Sequence, residues 1–135
     1  MALQLSVAVR NAMLDAIETA IGTSAVMKIR TGAPPAGCAT ADSGTVLATL
    51  TLPSDWMAAA SSGSKAKSGT WEVTSAAAAG TAAHYRIYAS DGTTCHMQGT
   101  VTATGGGGDL TVDNVVFAAG QSFTVTSFSL TAANS

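Results

Sequence analysis

The sequence is poor in charge: only 10% of its 135 residues are Asp, Glu, Lys or Arg, whereas a typical soluble domain has about a quarter. Its 8 acidic and 6 basic residues leave a formal net charge of −2. A charge-poor, near-neutral surface repels its own copies only weakly and therefore favours association. We expect this chain to work inside an assembly, and we expect it to form homo-oligomers.

Long apolar runs, aromatic residues and basic clusters are also scarce. No apolar run approaches the length of about eighteen residues that spans a bilayer, so we expect no membrane partner. Arg10 and Asp15 interrupt the N-terminal apolar stretch, which lacks the basic start of a signal peptide. The 6 scattered basic residues predict no nucleic-acid partner.

The two cysteines, Cys38 and Cys95, are too few for a disulfide framework. They fall in an expected loop and an expected strand, so a bridge between them is geometrically possible. Synthesis in a cytoplasm keeps thiols reduced. We therefore expect two reduced thiols, with Cys95 as a small core residue, and the disulfide remains the alternative.

The N-terminal part of the chain predicts one amphipathic helix over residues 7–21, about four turns long. Ser6 is a suitable N-cap, and Gly22 is a suitable left-handed stop. One stripe of the helix is apolar and consists of Val9, Met13, Leu14, Ile17 and Ile21. The opposite face is polar and consists of Asn11, Asp15, Glu18 and Thr19. The apolar stripe should pack on a sheet end or on another subunit.

Residues 25–131 read as short strands separated by turn residues. Alternation of apolar and polar residues is clear in 25–31 and 45–52, and Asp91-Gly92 between two alternating runs indicates a β-hairpin. Residues 32–44 predict a long loop, and 56–69 predict a mobile surface segment. The last run, 122–131, changes phase, which requires a bulge or a passage from one sheet to another.

This pattern predicts a mainly β protein: a single domain over residues 1–135, with the N-terminal helix followed by an antiparallel β-sandwich or jelly roll. We expect about seven or eight strands, as turn signals at regular spacing indicate. The helix comes first and belongs to no βαβ unit, so a parallel doubly wound sheet is not expected.

Residues that could support catalysis or metal binding do not form a recognisable pattern. His84 and His96 flank the predicted hairpin turn and could be cross-strand neighbours, but their spacing matches no metal motif, and solvent-facing strand positions are the simpler interpretation. The glycines at 105–108 lack the Lys-Ser/Thr of a phosphate loop. We expect no catalytic site, no metal, no cofactor and no small-molecule substrate.

Three pairs of residues are candidates for an interface. Trp56-Met57, a large aromatic residue followed by Met in an Ala/Ser segment, is either an interface anchor or a plug at one end of the sandwich. Pro34-Pro35 is either a rigid docking loop or a stiff connection. Val9 and Met13 lie on the apolar helix stripe and complete the set.

Four segments carry a resemblance to a known family. They are Leu5-Ser-Val-Ala-Val-Arg-Asn-Ala-Met-Leu-Asp-Ala-Ile-Glu continuing through Gly22-Thr-Ser-Ala-Val, Arg30-Thr-Gly-Ala-Pro-Pro, Tyr85-Arg-Ile-Tyr-Ala-Ser-Asp-Gly, and Phe123-Thr-Val-Thr-Ser-Phe-Ser-Leu-Thr. Together they resemble small virion structural proteins of tailed bacteriophages. The likeness is one of pattern, covers most of the chain and includes no catalytic motif.

The resemblance implies a non-enzymatic particle component, specifically a capsid cement or decoration protein. Its partner would be the major capsid protein or another virion protein, and its location would be the virion after synthesis in the host cytoplasm. A tail, baseplate or fibre module is the alternative within the particle. A carbohydrate-binding module or adhesin is a second alternative, for which Trp56, Trp71 and Tyr88 are the candidate sugar-binding aromatics.

Overall fold

The computed structural model describes residues 3–132, and its first element is the expected helix, α1 (Val7–Ile21). The Ser6 hydroxyl accepts a hydrogen bond from the Val9 amide at 3.2 Å, which caps the N-terminus. At the other end, Gly22 has a φ of 95° and donates its amide hydrogen to the Glu18 carbonyl. Both predicted helix boundaries are confirmed.

The rest of the described chain is mainly β. Its 11 strands are β1 (Val26–Arg30), β2 (Val46–Thr51), β3 (Ser64–Ala66), β4 (Trp71–Val73), β5 (Gly80–Thr81), β6 (His84–Tyr88), β7 (Cys95–Ala103), β8 (Leu110–Val112), β9 (Val116–Phe117), β10 (Phe123–Val125) and β11 (Ser129–Thr131). The expected number of strands is therefore wrong, because runs that looked continuous are broken and β3 lies in the 56–69 segment that was expected to be a mobile connection.

Five strands form one curled sheet in the order β2-β1-β6-β7-β8, and the others form the two-stranded ribbons β10-β4, β11-β3 and β5-β9. The predicted hairpin is confirmed, since β6 and β7 pair antiparallel around Asp91-Gly92. The pairing of β7 with β8 is parallel, with Val101 opposite Leu110. The sheet is thus not purely antiparallel.

The phase change in residues 122–131 is explained by a passage between two ribbons. β10 pairs with β4, with Val125 opposite Trp71, whereas β11 pairs with β3, with Leu130 opposite Lys65. Phe128, in the link between these strands, is buried against the ring of Trp71 at a centroid distance of 5.4 Å. The apolar side chains before and after the link therefore face the same core from two ribbons.

One apolar core joins the sheet to the ribbons. Met27, Ile29 and Ile87 enter it from the sheet, and Trp71 enters it from β4. Tyr85 contacts the ring of Phe128 edge-on, with 5.7 Å between the centroids. Two faces remain outside this core: the face of β1 and β6 opposite Met27 and Ile87, and the side of α1 that carries Val9 and Met13.

The segment 56–69 is not the mobile surface connection that its composition predicted. It contains β3, and within it Trp56, Met57 and Lys65 are buried. The Trp56 indole donates a hydrogen bond to the Gly22 carbonyl at 2.9 Å, which ties the segment to the end of α1. Small residues make the segment look irregular, but its backbone amides have specific partners on the helix.

Candidate docking surfaces

The helix α1 is held to the molecule through the face that looked solvent-exposed in sequence. Side-chain oxygens of Asn11, Asp15 and Glu18 accept hydrogen bonds from backbone amides of the 56–69 segment. The three donor–acceptor distances are 2.9 Å to Gly63 N, 2.9 Å to Ala60 N and 2.7 Å to Met57 N. The polar side of the helix thus satisfies a backbone that has few strand partners of its own.

A buried lysine strengthens this contact. Lys65 Nζ lies 2.7 Å from Asp15 Oδ1 and 3.4 Å from Glu18 Oε1, and it donates to the Ala58 carbonyl at 2.9 Å. Burial alone would lower the pKa of Lys65, but the two carboxylates outweigh it and the pKa is raised. The hydrogen bond from Lys65, reinforced by the Ala60 amide, lowers the pKa of Asp15.

The opposite side of α1 is exposed to solvent and carries no charged residue. We define the outer helix face as the exposed residues Ala8, Val9, Ala12, Met13, Ala16, Thr19 and Ala20. Val9 is 46% exposed and Met13 is 50% exposed. The hydroxyl of Thr19 donates to the Asp15 carbonyl of the same helix at 3.1 Å, so the polar group of this face is also turned to the backbone.

The apolar stripe of the helix is divided between the core of this chain and its surface. Leu14 and Ile21 are buried and Ile17 packs against the core, whereas Val9 and Met13 are not covered by this chain. The reason is that the hydrogen bonds and ion pairs of Asp15 and Glu18 fix the helix rotation, and they leave the Val9 side outward. Val9 and Met13 remain available as interface residues, as the sequence suggested.

Trp56 and Met57 are not available to a partner, which corrects their interpretation as exposed interface anchors. Trp56 is 0% exposed and its ring lies 5.9 Å from the ring of Trp71. Met57 is buried beside it. A tryptophan in an Ala/Ser segment fits the alternative that the sequence left open, a plug that fills the core.

The expected loop at 32–44 lies over the outer face of β1 and β6 and is tied down at several points. Arg86 donates to the carbonyls of Gly37 and Thr40, both at 2.9 Å, and Gln98 Nε2 donates to the Pro35 carbonyl at 2.6 Å. Pro34 and Pro35 are half-buried in this arrangement.

Asp42 anchors the same loop through its carboxylate, which contacts Arg30, Arg86 and the hydroxyl of Tyr88. Burial alone would raise the pKa of Asp42, but the hydrogen bonds from Tyr88 and Arg86 outweigh it and lower the pKa. Arg30 and Arg86 are buried beneath the loop. The 32–44 loop thus covers the polar face of β1 and β6. For this reason every residue of β6 is buried.

The expectation of two reduced thiols is also wrong, since Cys38 and Cys95 form a disulfide between this loop and β7. Their Cα atoms lie 5.2 Å apart, within the range that bridges allow. Cys95 is half-buried rather than a core residue. The sequence could not show this contact because the path of the loop depends on the buried arginines.

The two histidines are separated, which corrects the view of them as cross-strand neighbours. His84 pairs with Thr100 at the far end of the hairpin, and His96 lies at a register shift next to the turn. His84 is buried, with Nδ1 2.7 Å from the Gly32 carbonyl, and His96 is exposed. Within residues 3–132 no group of three or more His, Cys, Asp or Glu side chains could hold a metal ion.

The aromatic residues considered for sugar stacking are all inside the protein. Trp56, Trp71 and Tyr88 are each buried. A sugar ring needs an accessible aromatic face, so these three residues do not support the carbohydrate-binding alternative. Among the described helices there is none with the length and apolar character needed to cross a membrane.

Charge is distributed unequally between the interior and the surface. All 6 basic residues have partners within the chain: Arg10, Lys28, Arg30, Lys65, Lys67 and Arg86. Ion pairs in the described part of the chain use three acidic residues, Asp15, Glu18 and Asp42. The other acidic residues are exposed: Asp55, Glu72, Asp91, Asp109 and Asp113. The surface is thus more acidic than the net charge suggests.

Comparison with known proteins identifies no relative: no protein-family model, curated protein or solved structure matches this chain. The role of these surfaces is therefore inferred from their own geometry and chemistry.

Proposed function

We propose that this chain is a non-enzymatic structural protein of a tailed-phage virion, a capsid cement protein that stabilises the head by bridging capsid subunits. The observation that carries the proposal is the outer helix face. Its seven exposed residues include no charged side chain, while Arg10, Asp15 and Glu18 of the same helix are turned to the protein. A free monomer gains nothing from this arrangement, and a docked subunit does.

The outer helix face suits a contact that is weak in each copy and repeated many times. Val9 and Met13 are about half exposed, and each buried methylene contributes about 0.8 kcal/mol. A single helix face is smaller than a stable binary interface, which buries about 1,600 Å² in total. Repetition over a shell makes the sum of such contacts large, because subunits linked into one particle bind with avidity.

The β-sandwich or jelly roll predicted from the strand pattern is part of the same proposal. Its support is the arrangement of one core between the five-stranded sheet and the ribbons β10-β4 and β11-β3. The disulfide between Cys38 and Cys95 fits a protein that must endure outside a cell, where thiols become oxidised.

The test is binding to expanded capsids built from the major capsid protein encoded in the same genome. The purified chain should pellet with capsids and raise the temperature at which they lose their DNA. Val9→Glu and Met13→Glu each place a charge in the apolar contact, which should weaken binding on the order of tenfold or more. Both side chains are half exposed, so circular dichroism should report an unchanged fold.

Val116→Glu is the matched control, because Val116 is 58% exposed but lies on β9, away from α1. It should bind capsids as the unmodified chain does. Equal loss of binding in Val116→Glu and Met13→Glu, or no binding by the unmodified chain, would contradict the proposal. Binding to tails but not to heads would instead support the tail module.

A further inference from the structure

The disulfide between Cys38 and Cys95 joins two segments that other contacts also hold side by side. The 32–44 loop contributes Cys38, and β7 contributes Cys95. Gln98 of β7 donates to the Pro35 carbonyl of the loop at 2.6 Å, and this hydrogen bond needs no sulfur atom. The loop and the strand thus have a link besides the disulfide.

The backbone around Cys38 is positioned by one buried guanidinium. Arg86 Nη2 donates to the Gly37 carbonyl and to the Thr40 carbonyl, both at 2.9 Å. The guanidinium is itself fixed from β7, because Gln98 Oε1 accepts from Arg86 Nε at 3.1 Å and from Nη2 at 2.9 Å. A buried charge keeps its partners, since releasing them would leave it unpaired in the interior. The loop is therefore held on both sides of Cys38.

Cys95 is positioned by the hairpin turn that precedes β7. Asp91 Oδ1 accepts from the amides of Thr93 and Thr94 at 2.8 Å and 2.9 Å, and Oδ2 accepts from the Thr94 hydroxyl at 2.6 Å. These hydrogen bonds, first of all that from the Thr94 hydroxyl, lower the pKa of Asp91. Cys95 follows this turn directly and pairs with Tyr88 of β6. Its place therefore follows from the hairpin and not from the disulfide.

The two cysteines consequently meet because the chain is folded. Their Cα atoms lie 5.2 Å apart, a distance that disulfide geometry accepts. The contacts that set this distance run through Arg86, Gln98 and Asp91, so we expect the dithiol chain to keep its two thiols adjacent. In the unfolded chain the same thiols are separated by 57 residues, and closing a loop of that length costs entropy.

The bridge lies where small solutes can reach it. Cys38 and Cys95 are both half-buried, and their neighbours Ala39 and His96 are exposed. Exchange with a small-molecule thiol or disulfide depends on such access. The bridge can therefore open and close without any opening of the apolar core.

We propose that the Cys38–Cys95 disulfide is a redox-controlled lock that closes on a chain already folded. In a reducing compartment the chain folds with two free thiols and with the 32–44 loop in place. In an oxidising medium the thiols close, which stabilises the fold without moving the loop. The inference goes beyond the proposed function and takes from it only the passage from a host cytoplasm to the outside.

The oxidant is a small-molecule disulfide of the glutathione class, and the reaction is thiol–disulfide exchange. The thiolate of one cysteine attacks a sulfur of the oxidant, which forms a mixed disulfide and releases one glutathione thiolate. The thiolate of the other cysteine then attacks the protein sulfur and releases the second glutathione thiolate. Two electrons pass from the protein thiols to the glutathione disulfide, and the two thiol protons pass through solvent to the released thiolates.

The test follows both exchange steps in the full chain after its reduction. The dithiol chain is equilibrated in buffers of oxidised and reduced glutathione, free thiols are alkylated, and intact mass separates dithiol, mixed-disulfide and bridged chains. The ratio of bridged to mixed-disulfide chain, multiplied by the concentration of reduced glutathione, gives the effective concentration of the two thiols. This quantity should be about a hundredfold higher in the folded chain than in concentrated urea.

Asp42→Asn tests whether the anchors of the loop produce this effect. It removes the carboxylate through which the loop pairs with Arg86 and Arg30, and it should lower the effective concentration of the thiols about tenfold. Asp55→Asn is the matched control, because Asp55 is an exposed acid outside the loop. This variant should give the value of the unmodified chain.

The fold of the dithiol chain is checked by near-ultraviolet circular dichroism of the buried Trp56 and Trp71. The spectrum should be the same before and after reduction. Loss of this spectrum on reduction, an equal effective concentration in folded and urea-unfolded chains, or an equal decrease in Asp42→Asn and Asp55→Asn would overturn the inference. If Asp42→Asn does not fold, the comparison with urea in the unmodified chain decides. Capsids have no part in these measurements, so the lock and the capsid role are accepted or rejected separately.

Discussion

Arg86 and Asp42 form an ion pair, with 2.5 Å between Arg86 Nη1 and Asp42 Oδ1, that fastens the 32–44 loop to the five-stranded sheet. The side chain of Arg86 is buried, whereas that of Asp42 reaches the surface. Asp42 also pairs with the buried Arg30. One acidic side chain thus balances two buried guanidinium groups.

Asp42→Asn should destabilise the protein by about 3 kcal/mol, because it leaves two buried cations without a counter-charge. The free energy of unfolding from urea titration measures this. Asp55→Asn, at an exposed acid without an ion pair among the described residues, should change stability by less than about 0.5 kcal/mol. Similar stability of the two variants would show that the Asp42 pairs contribute little.

Acid should destabilise the protein as the pH falls below about 4. The pKa of Asp42 and that of Asp15 are lowered in the folded chain from an ordinary value of 3.8. The stabilisation is complete above that ordinary value and is lost as the pH falls through the folded pKa values. Melting temperatures between pH 2 and 7 measure it, and Asp42→Asn should show a shallower acid dependence than the unmodified chain.

Removing the disulfide should lower stability without releasing the loop. The bridge closes a separation of 57 residues, for which chain entropy gives a contribution of ~4 kcal/mol. In a Cys38→Ser/Cys95→Ser double variant, Arg86 and Gln98 still bond the loop carbonyls. We expect a lower urea midpoint, whereas the amide signals of residues 40–42, recorded by nuclear magnetic resonance, should keep the dispersion of a folded segment. Loss of those signals would mean that the disulfide alone holds the loop.

Gly99→Ala should destabilise the chain by about 1–3 kcal/mol, as overpacking does. The added methyl would meet Tyr85 Oη and Asp109 Oδ2 at 2.8 Å. Gly37→Ala is the control, because a Cβ there meets nothing within 4 Å. Thermal unfolding compares the two. An effect of Gly37→Ala as large as that of Gly99→Ala would contradict the close approach of Tyr85 and Asp109 to position 99.

Local signals in the sequence were sufficient for the elements that depend on local chemistry. The helix boundaries follow from Ser6 and Gly22, and the hairpin follows from Asp91-Gly92. The inward faces of β1 and β6 also follow from alternation, with Met27, Ile29 and Ile87 buried as expected. Each of these features is set by residues a few positions apart.

Features that depend on distant partners were not predicted. The polar face of α1 looked like a solvated face, since nothing in the local pattern indicates that Asp15 and Glu18 bond to the amides of Ala60 and Met57. The sequence did contain one indication that the 32–44 loop covers the sheet. Arg30 of β1 and Arg86 of β6 lie on the face opposite the core. Buried arginines need partners, and the loop with Asp42 supplies them.

The attachment of α1 through hydrogen bonds and ion pairs has a consequence for any partner that meets its other side. Apolar packing alone would let a helix roll about its axis, but the bonds from Asn11, Asp15 and Glu18 are directional and fix one rotation. The helix therefore meets an incoming protein already oriented, and little conformational freedom is left to lose on association.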